Sequence, residues 1–449
     1  MKKLNYYFFF LLLLAILLVS AKPLLKSQLN PQQKIFLKKY FFPYKYIFQI
    51  ETDRVALTRH ISQIEERLGK VNKLTTQIEY GLMLEKLNND FVESSSYIDF
   101  HNENLIIASK KGVLGYFYKS TENANPIYKE IYSNINEFIN EDQFIKSATF
   151  SIKDIHINND KFFISYTEEI RENCWNISIL FSEMNYKKIN FKKIFSNKEC
   201  ATAVTGAFTA VTGAFNANQS GGRIITLDDN HIAFSVGDFK KLELAQDKKS
   251  INGKIIRLNL NDYNYKIISM GHRNPQGLFY DRKNNFIIET EHGPDGGDEV
   301  NIININQNLV PNYGWPMASY GEHYGRKSKD NEDKYKLYPL LKSHSENGFV
   351  EPLISFQPSI GISEVTKVKD EYYVASSLRA RSIYFFNISK QKKVNNFFRV
   401  SVGERVRDMI YKNNKIYLFL DNTNSVGVID LTKFEISADF KQNWQNLNE

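Results

Sequence analysis

Asn285-Phe286-Ile287-Ile288-Glu289-Thr290 is a short apolar run opened by a turn-forming asparagine, and the chain carries this unit six times. The other copies are Asn104-Leu105-Ile106-Ile107-Ala108-Ser109, Asp160-Lys161-Phe162-Phe163-Ile164-Ser165, Asn230-His231-Ile232-Ala233-Phe234-Ser235, Asp370-Glu371-Tyr372-Tyr373-Val374-Ala375 and Asn414-Lys415-Ile416-Tyr417-Leu418-Phe419. They begin at residues 104, 160, 230, 285, 370 and 414, so the spacings are 56, 70, 55, 85 and 44 residues. Propeller blades recur about every 40–50 residues, each blade being a small sheet. The repeat therefore predicts an all-β, six-bladed propeller over residues 91–435, with the longer gaps holding loop insertions. A tail covers 436–449.

Upstream of the repeats the pattern changes. Lys2 and Lys3 precede an apolar run from Leu4 to Val19, and Val19-Ser20-Ala21 suits a signal peptidase. This order is that of an export signal. The run approaches the length that spans a bilayer, so an uncleaved membrane anchor at 1–21 is the alternative. Both readings place the rest of the chain outside the cytoplasm, periplasmic or secreted. Across 22–90, Ile61, Ile64, Leu68, Val71, Ile78 and Leu82 fall on a three-four spacing that predicts an amphipathic helical stalk. It would pack on the propeller or associate with a second copy.

Composition excludes little. The chain has 449 residues, 42% of them apolar and 24% charged, with a formal charge of +8. No basic patch is interleaved with base-stacking aromatics, so the charge reads as a soluble basic surface and no nucleic-acid partner is expected. Cys174 and Cys200 are the only cysteines. Outside the cytoplasm such a pair predicts a disulfide stapling a hairpin; two buried thiols are the alternative.

Two loops carry the chemistry. Glu291-His292-Gly293-Pro294-Asp295-Gly296-Gly297-Asp298-Glu299-Val300-Asn301 mixes carboxylates with glycines whose carbonyls can turn inward, the oxygen set a hard cation wants. It is followed by Asn312-Tyr313-Gly314-Trp315-Pro316. Gly271-His272-Arg273-Asn274-Pro275-Gln276-Gly277-Leu278 offers a guanidinium beside a stiffened turn, and Gly403-Glu404-Arg405-Val406-Arg407-Asp408 offers two more. Arg379 adds a cation from another blade. If these arginines converge, they imply an anionic ligand held by paired hydrogen bonds.

Taken together, the three segments resemble the soluble family of glucose and aldose (sorbosone) sugar dehydrogenases that use pyrroloquinoline quinone (PQQ). Ser319-Tyr320-Gly321-Glu322-His323-Tyr324 and Gln357-Pro358-Ser359-Ile360 are similar to further stretches of its aldose-type members. The likeness covers about residues 96 to 435 and is strongest after 220. It implies that Arg273, Asn274, Arg379, Arg405 and Arg407 contact PQQ. It implies calcium bound by Glu299 and by the carbonyls of Gly293, Pro294 and Tyr313, with a sugar as substrate and an electron acceptor that the residues do not specify.

One departure matters. The family carries a histidine as general base in a segment of the type H-x-G-G-R, whereas this chain reads Gln219-Ser220-Gly221-Gly222-Arg223. An amide cannot take up a proton near neutral pH, and a lost general base typically costs about 10²–10⁴ in rate. Thr149 likewise stands where the family has a cofactor-contacting glutamine. Just upstream, T-A-V-T-G-A-F occurs twice in tandem within residues 201–215. His156, His231 and His292 are not obvious replacement bases. The resemblance thus implies a dehydrogenase lacking its base. The alternative is a non-catalytic propeller that binds a sugar, a quinone or a protein partner, and a calcium-dependent hydrolase is a third reading.

Overall fold

The computed structural model describes residues 68–89, 95–119, 126–139, 151–172, 174–202, 219–305, 309–325, 332–369 and 371–434. The expected signal, the stalk up to residue 67, Thr149, the tandem repeat from residue 203 and most of the tail lie outside them. The described residues form a six-bladed β-propeller, with one short α-helix at Glu332–Leu337.

Blade 1 is built from Ser96–His101, Asn104–Ser109, Leu114–Lys119 and Pro126–Ser133, and blade 2 from Ile152–Asn158, Lys161–Arg171, Cys174–Glu183 and Lys192–Phe195. Blade 3 comprises Gly221–Asp228, His231–Val236, Lys254–Asn259 and Tyr265–Met270. Pro275–Asp281, Phe286–Glu291, Asp298–Asn304 and Ile354–Phe356 make blade 4; Ile362–Lys367, Tyr372–Ser377, Ser382–Ile388 and Val394–Ser401 make blade 5. Blade 6 takes Val406–Lys412, Lys415–Leu420 and Ser425–Asp430 from the end of the chain and borrows Met83–Asn89 from its beginning.

Each sequence repeat is the second strand of its blade. These strands are buried on both faces, as in Phe286–Glu291, because neighbouring blades cover them. That is why the repeat reads as a continuous apolar run instead of alternating. The turns before them place Asn102, Asn159, Asn285 and Asn413 at positive φ, between 50° and 55°. Asparagine tolerates that conformation in tight hairpins, which accounts for asparagine in the turns just before or at the start of these units.

Residues 68–89 are not the expected helix. Leu68–Gln77 and Met83–Asn89 are antiparallel strands. The second completes blade 6, with Leu84 opposite Ile429, and the first pairs onward to Pro126–Ser133 of blade 1. A single sheet of ten strands therefore runs through blades 6 and 1 across the seam where the ring closes. The apolar spacing misled because the residues serve different partners. Val71 packs between blades 6 and 1, Leu82 enters the core of blades 5 and 6, and Leu74 is exposed.

The two cysteines form the expected disulfide. It ties the start of Cys174–Glu183 to Cys200, whose neighbours Ala201–Thr202 pair back on the same strand.

The inner strands meet around the channel axis, and Arg223 sits among them. Its Nη1 lies 3.0 Å from Asp154 (blade 2), 2.8 Å from Glu364 (blade 5) and 2.6 Å from Asp408 (blade 6). Its Nε donates to the Gln276 carbonyl of blade 4, and its guanidinium lies 5.1 Å from the Tyr97 ring centroid of blade 1. One side chain thus touches the other five blades. The carboxylates also stitch neighbours: Asp154 accepts from Ile224 N–H (2.8 Å), Asp408 from Ile98 N–H (2.7 Å) and Asp99 from Ile157 N–H (2.6 Å).

Three buried carboxylates share one guanidinium, and burial pushes the Asp154 carboxyl up to about 7. Replacing Arg223 by Met leaves them uncompensated, which costs about 3–5 kcal/mol for a broken buried pair. Denaturant unfolding of Arg223→Met should show at least that loss.

Candidate functional site

In an antiparallel blade, the loop entering the first strand and the loop leaving the second lie at the same end. Six such loop pairs therefore converge at one mouth of the channel. Gln219, Arg273, Asn274, the 291–298 loop, Arg379 and Arg405 stand on them, and Arg407 is the second residue of the strand that follows Arg405.

The 291–298 loop is a tight connection between the second and third strands of blade 4. A Cβ on Gly293 would fall 1.7 Å from the Gly297 carbonyl oxygen, so only glycine closes it. Asp298 anchors the loop, accepting from Gly293 N–H (3.3 Å), Ser359 Oγ (2.9 Å) and, on its other oxygen, Ile362 N–H (3.0 Å). Beneath it, Glu291 and Glu299 lie directly opposite on paired strands, as do Glu289 and Asn301. All four are buried. Burial first, and the neighbouring Glu291 carboxylate second, push both Glu289 and Glu299 well above the usual carboxylate range. His272 faces Glu291 at 3.1 Å, and its ring stacks 4.8 Å from that of Tyr313. His272, Glu289 and Glu291 place one ligand atom each within 4.8 Å of one another. These donors are of the kind a divalent cation takes, and a cation would relieve the repulsion among them. Gly293, Pro294, Glu299 and Tyr313 are all found in this part of blade 4. His272, Glu289 and Glu291 were not foreseen from the sequence.

Arg273 leads the opposite wall. Its Nη1 donates to the His292 carbonyl (2.9 Å), its own N–H donates to Glu291 (2.6 Å), and its guanidinium lies 5.4 Å from the Trp315 ring and 5.8 Å from the Tyr324 ring. Asn274 turns its Oδ1 to Gly221 N–H (3.2 Å). Arg405 is half-buried. Arg407 donates to Asp421 (2.8 Å) and Ser95 (3.1 Å). Burial lowers the His292 imidazole, and Arg273, Arg407 and Arg405 each lower it further despite the nearby Asp298. Three arginines from two separate loops thus bear on one histidine at the mouth. Arg379 is exposed; its backbone N–H donates to the Ile360 carbonyl (3.0 Å), and no contact among the described residues joins its side chain to the other three.

Gln219 lies between Asp238 and Arg273. With its amide oriented by those neighbours, Nε2 donates to Asp238 Oδ1 (2.8 Å) and Oε1 accepts from Arg273 Nη2 (2.7 Å). Asp238 is fully buried; it also accepts from Trp315 Nε1 (2.9 Å) and from Lys240 N–H (2.8 Å). Burial raises its carboxyl to about 6, against the lowering pull of Arg273. Two of the histidines weighed as replacement bases sit elsewhere in the blades. His156 bonds Thr226 (2.8 Å) within the blades, and His231 pairs with Asp228 (2.8 Å) at the far end of blade 3.

Residues 152–429 match the family model described as glucose / sorbosone dehydrogenase. The chain belongs to that family. It is 34% identical over 214 residues to the aldose sugar dehydrogenase YliI of Escherichia coli, a match covering 43% of this chain and 54% of that protein. The chain spans about half the length of the first curated relatives it matches. Two solved structures share the propeller fold. The apo-form of the soluble aldose sugar dehydrogenase of Escherichia coli has a TM-score of 0.61 at 18% identity, over 80% of this chain and 99% of that one. The PQQ-bound aldose sugar dehydrogenase of Streptomyces coelicolor has a TM-score of 0.53 at 17% identity, over 81% and 98%.

Within this glucose / sorbosone dehydrogenase-family chain, Asp238 was missed because it follows the blade-3 repeat as an unremarkable Gly-Asp. The signal was its place, in a loop that must face the mouth. Trp315→Phe removes one donor from its carboxylate, and a hydrogen bond to a charged group contributes about 1.5–3 kcal/mol. The loss of unfolding free energy should appear at pH 8, where Asp238 is ionised, and shrink as pH falls through about 6.

Proposed function

We propose that the chain is an exported PQQ- and calcium-binding sugar dehydrogenase-like protein whose proton-accepting step is impaired. The reading rests on one observation above all: Arg273, which lies beside Trp315, and Arg405 and Arg407 all act on His292 at a single mouth near buried carboxylates. Such a gathering is costly without an anionic ligand to offset it.

The residues suit a flat tricarboxylate. Arg273 and Arg405 offer guanidinium forks, Trp315 and Tyr324 offer planar surfaces, and Arg379 stands exposed on a neighbouring loop of blade 5. Glu299, with the carbonyls of Gly293, Pro294 and Tyr313, would hold calcium. Bound there, PQQ would supply a two-electron acceptor for hydride from an aldose, with calcium polarising its carbonyl. The chain's own part is to orient the sugar and take its hydroxyl proton.

At that second task Gln219 fails. Its oxygen already accepts from Arg273, its nitrogen donates to Asp238, and neither atom can gain a proton near neutral pH. The same lock favours a second reading, a propeller that binds a sugar, a quinone or a protein partner without turnover. Export rests on the N-terminal sequence pattern. Among the described residues no helix is long and apolar enough to cross a membrane.

Gln219→His tests the idea, because an imidazole in that place would face Asp238, which would fix its tautomer and stabilise its charged form. With PQQ, calcium and an aldose mixture, dye-coupled turnover should rise about 10²-fold or more over the parent protein. Unchanged turnover with PQQ bound would favour the non-catalytic reading. Arg405→Ala should weaken PQQ binding at least tenfold in an absorbance titration, the loss expected for a charge-assisted contact. Unaltered binding would remove PQQ from this mouth.

A further inference from the structure

We infer that the polar face of blade 4 is a closed metal centre for a zinc-class divalent ion, with His272 Nδ1, Glu289, Glu291 and Asn301 Oδ1 as its ligands. The centre is separate from the proposed calcium site, which uses Glu299 and backbone carbonyls, and it does not depend on PQQ.

The six repeats themselves single out Glu289. The fifth residue of the unit is Ala108, Ile164, Phe234, Val374 or Leu418 in the other blades, each apolar and fully buried. Blade 4 alone puts a carboxylate there, and it is buried just as fully. Residues two apart on a strand share a face, so Glu289 and Glu291 point the same way. Asn301 and Glu299 lie directly opposite them on the next strand. The face that is apolar at the paired Ile287 and Ile303 thus turns polar towards the mouth. Buried carboxylates need a compensating positive group. Among the described residues, the ion pairs of Glu289 and Glu291 are with His272 alone.

The donors are already spaced for an ion. His272 Nδ1 lies 3.1 Å from Glu291 Oε1 and 3.8 Å from Glu289 Oε2. Asn301 Nδ2 stands 3.0 Å from that Glu289 oxygen and 3.2 Å from that Glu291 oxygen. A four-coordinate ion with bonds of about 2.0–2.2 Å holds its donors about 3.3–3.6 Å apart, so only small shifts are needed. Two further atoms of the cluster, Glu289 Oε1 and Asn301 Oδ1, are buried without a hydrogen-bond partner. A half-turn of the Asn301 amide would bring Oδ1 to the place of Nδ2, as the fourth ligand. On the far side of its ring, His272 Nε2 lies 2.8 Å from Ser269 Oγ, and the ring stacks on Tyr313. With Nε2–H donating to that hydroxyl, the Nδ1 lone pair is free for the ion and the ring is held in place.

The donor set also selects the ion. Two carboxylates balance a divalent charge, so the filled centre is neutral, as a dry interior requires. Calcium takes about six to eight oxygen ligands, whereas four donors that include an imidazole suit zinc. All four residues are buried, which leaves no open position for a substrate and makes the centre structural. It would nevertheless bear on the mouth. Glu291 uses its other oxygen, Oε2, to accept from Arg273 N–H (2.6 Å), so an ion on Oε1 fixes the backbone that carries Arg273.

The test is calorimetric titration of the chelator-treated full chain with Zn²⁺ in excess calcium, followed by elemental analysis. The parent should bind and retain close to one zinc per chain. Glu289→Gln should weaken that binding at least a hundredfold, since even residues behind a metal ligand typically contribute about ten- to a hundredfold. Glu289→Val, which gives blade 4 the residue of blade 5, should fold and retain no zinc; it decides the matter if the glutamine variant does not fold. Zinc-edge X-ray absorption of the parent needs no variant and should show an imidazole among four nitrogen and oxygen donors at about 2.0–2.2 Å. No zinc on the parent, zinc displaced by calcium, a shell without imidazole, or parent-like affinity in the variants would each overturn the centre. None of these results touches PQQ binding, so the proposed function stands or falls separately.

Discussion

The guanidinium of Arg223 is the interaction on which the ring depends. A propeller has no central core strand; its inner strands curve around a channel, where polar groups of every blade come together. Here the polar groups on those strands converge on one cation, which reaches Asp154, Glu364, Asp408 and the Gln276 carbonyl while facing Tyr97. Breaking such a cluster strands buried charge, so the blades are held in one angular relation. The loops at the mouth inherit that relation. Gly222, on the same strand as Arg223, packs against Lys153, and the Arg407 carbonyl accepts from Arg223.

Ring closure is the second constraint. Blade 6 would lack its outer strand without Met83–Asn89, and Leu68–Gln77 continues the sheet into blade 1. The seam is thereby made of the same hydrogen bonds as the blade interiors. Apolar packing across it comes from Val71 and Leu87 with Phe117, Tyr128, Phe419 and Val426. Residues 68–89 are thus part of the propeller they were expected to precede.

Two electrostatic groups meet near the mouth. Burial, and then the Glu291 carboxylate, push Glu289 and Glu299 above the usual carboxylate range, while Arg273, Arg407 and Arg405 add to burial in lowering His292. Gln219 is linked to Asp238 by one end of its amide and to Arg273 by the other.

Much of this was legible before any coordinates. The six Asn/Asp-led runs marked the second strand of every blade, because a strand covered on both faces must be apolar throughout and a tight hairpin favours asparagine at positive φ. The cysteine pair, the arginine-bearing loops and the acidic glycine loop were also legible, since their chemistry is local. The strands at 68–89 were not. The three-four spacing of Ile61, Ile64, Leu68, Val71, Ile78 and Leu82 reads as a helix, yet long-range pairing sends Val71 and Leu82 to different cores. Nor could spacing reveal that Arg273, Arg405 and Arg407 all act on His292, that Arg379 is exposed, or that Asp238 backs Gln219. The sequence by itself determined the repeat, the turns and the types of group available. Only the closed ring decided which of them share a mouth, because residues such as Gln219 and Arg407 lie 188 positions apart and are brought to it by the packing of whole blades.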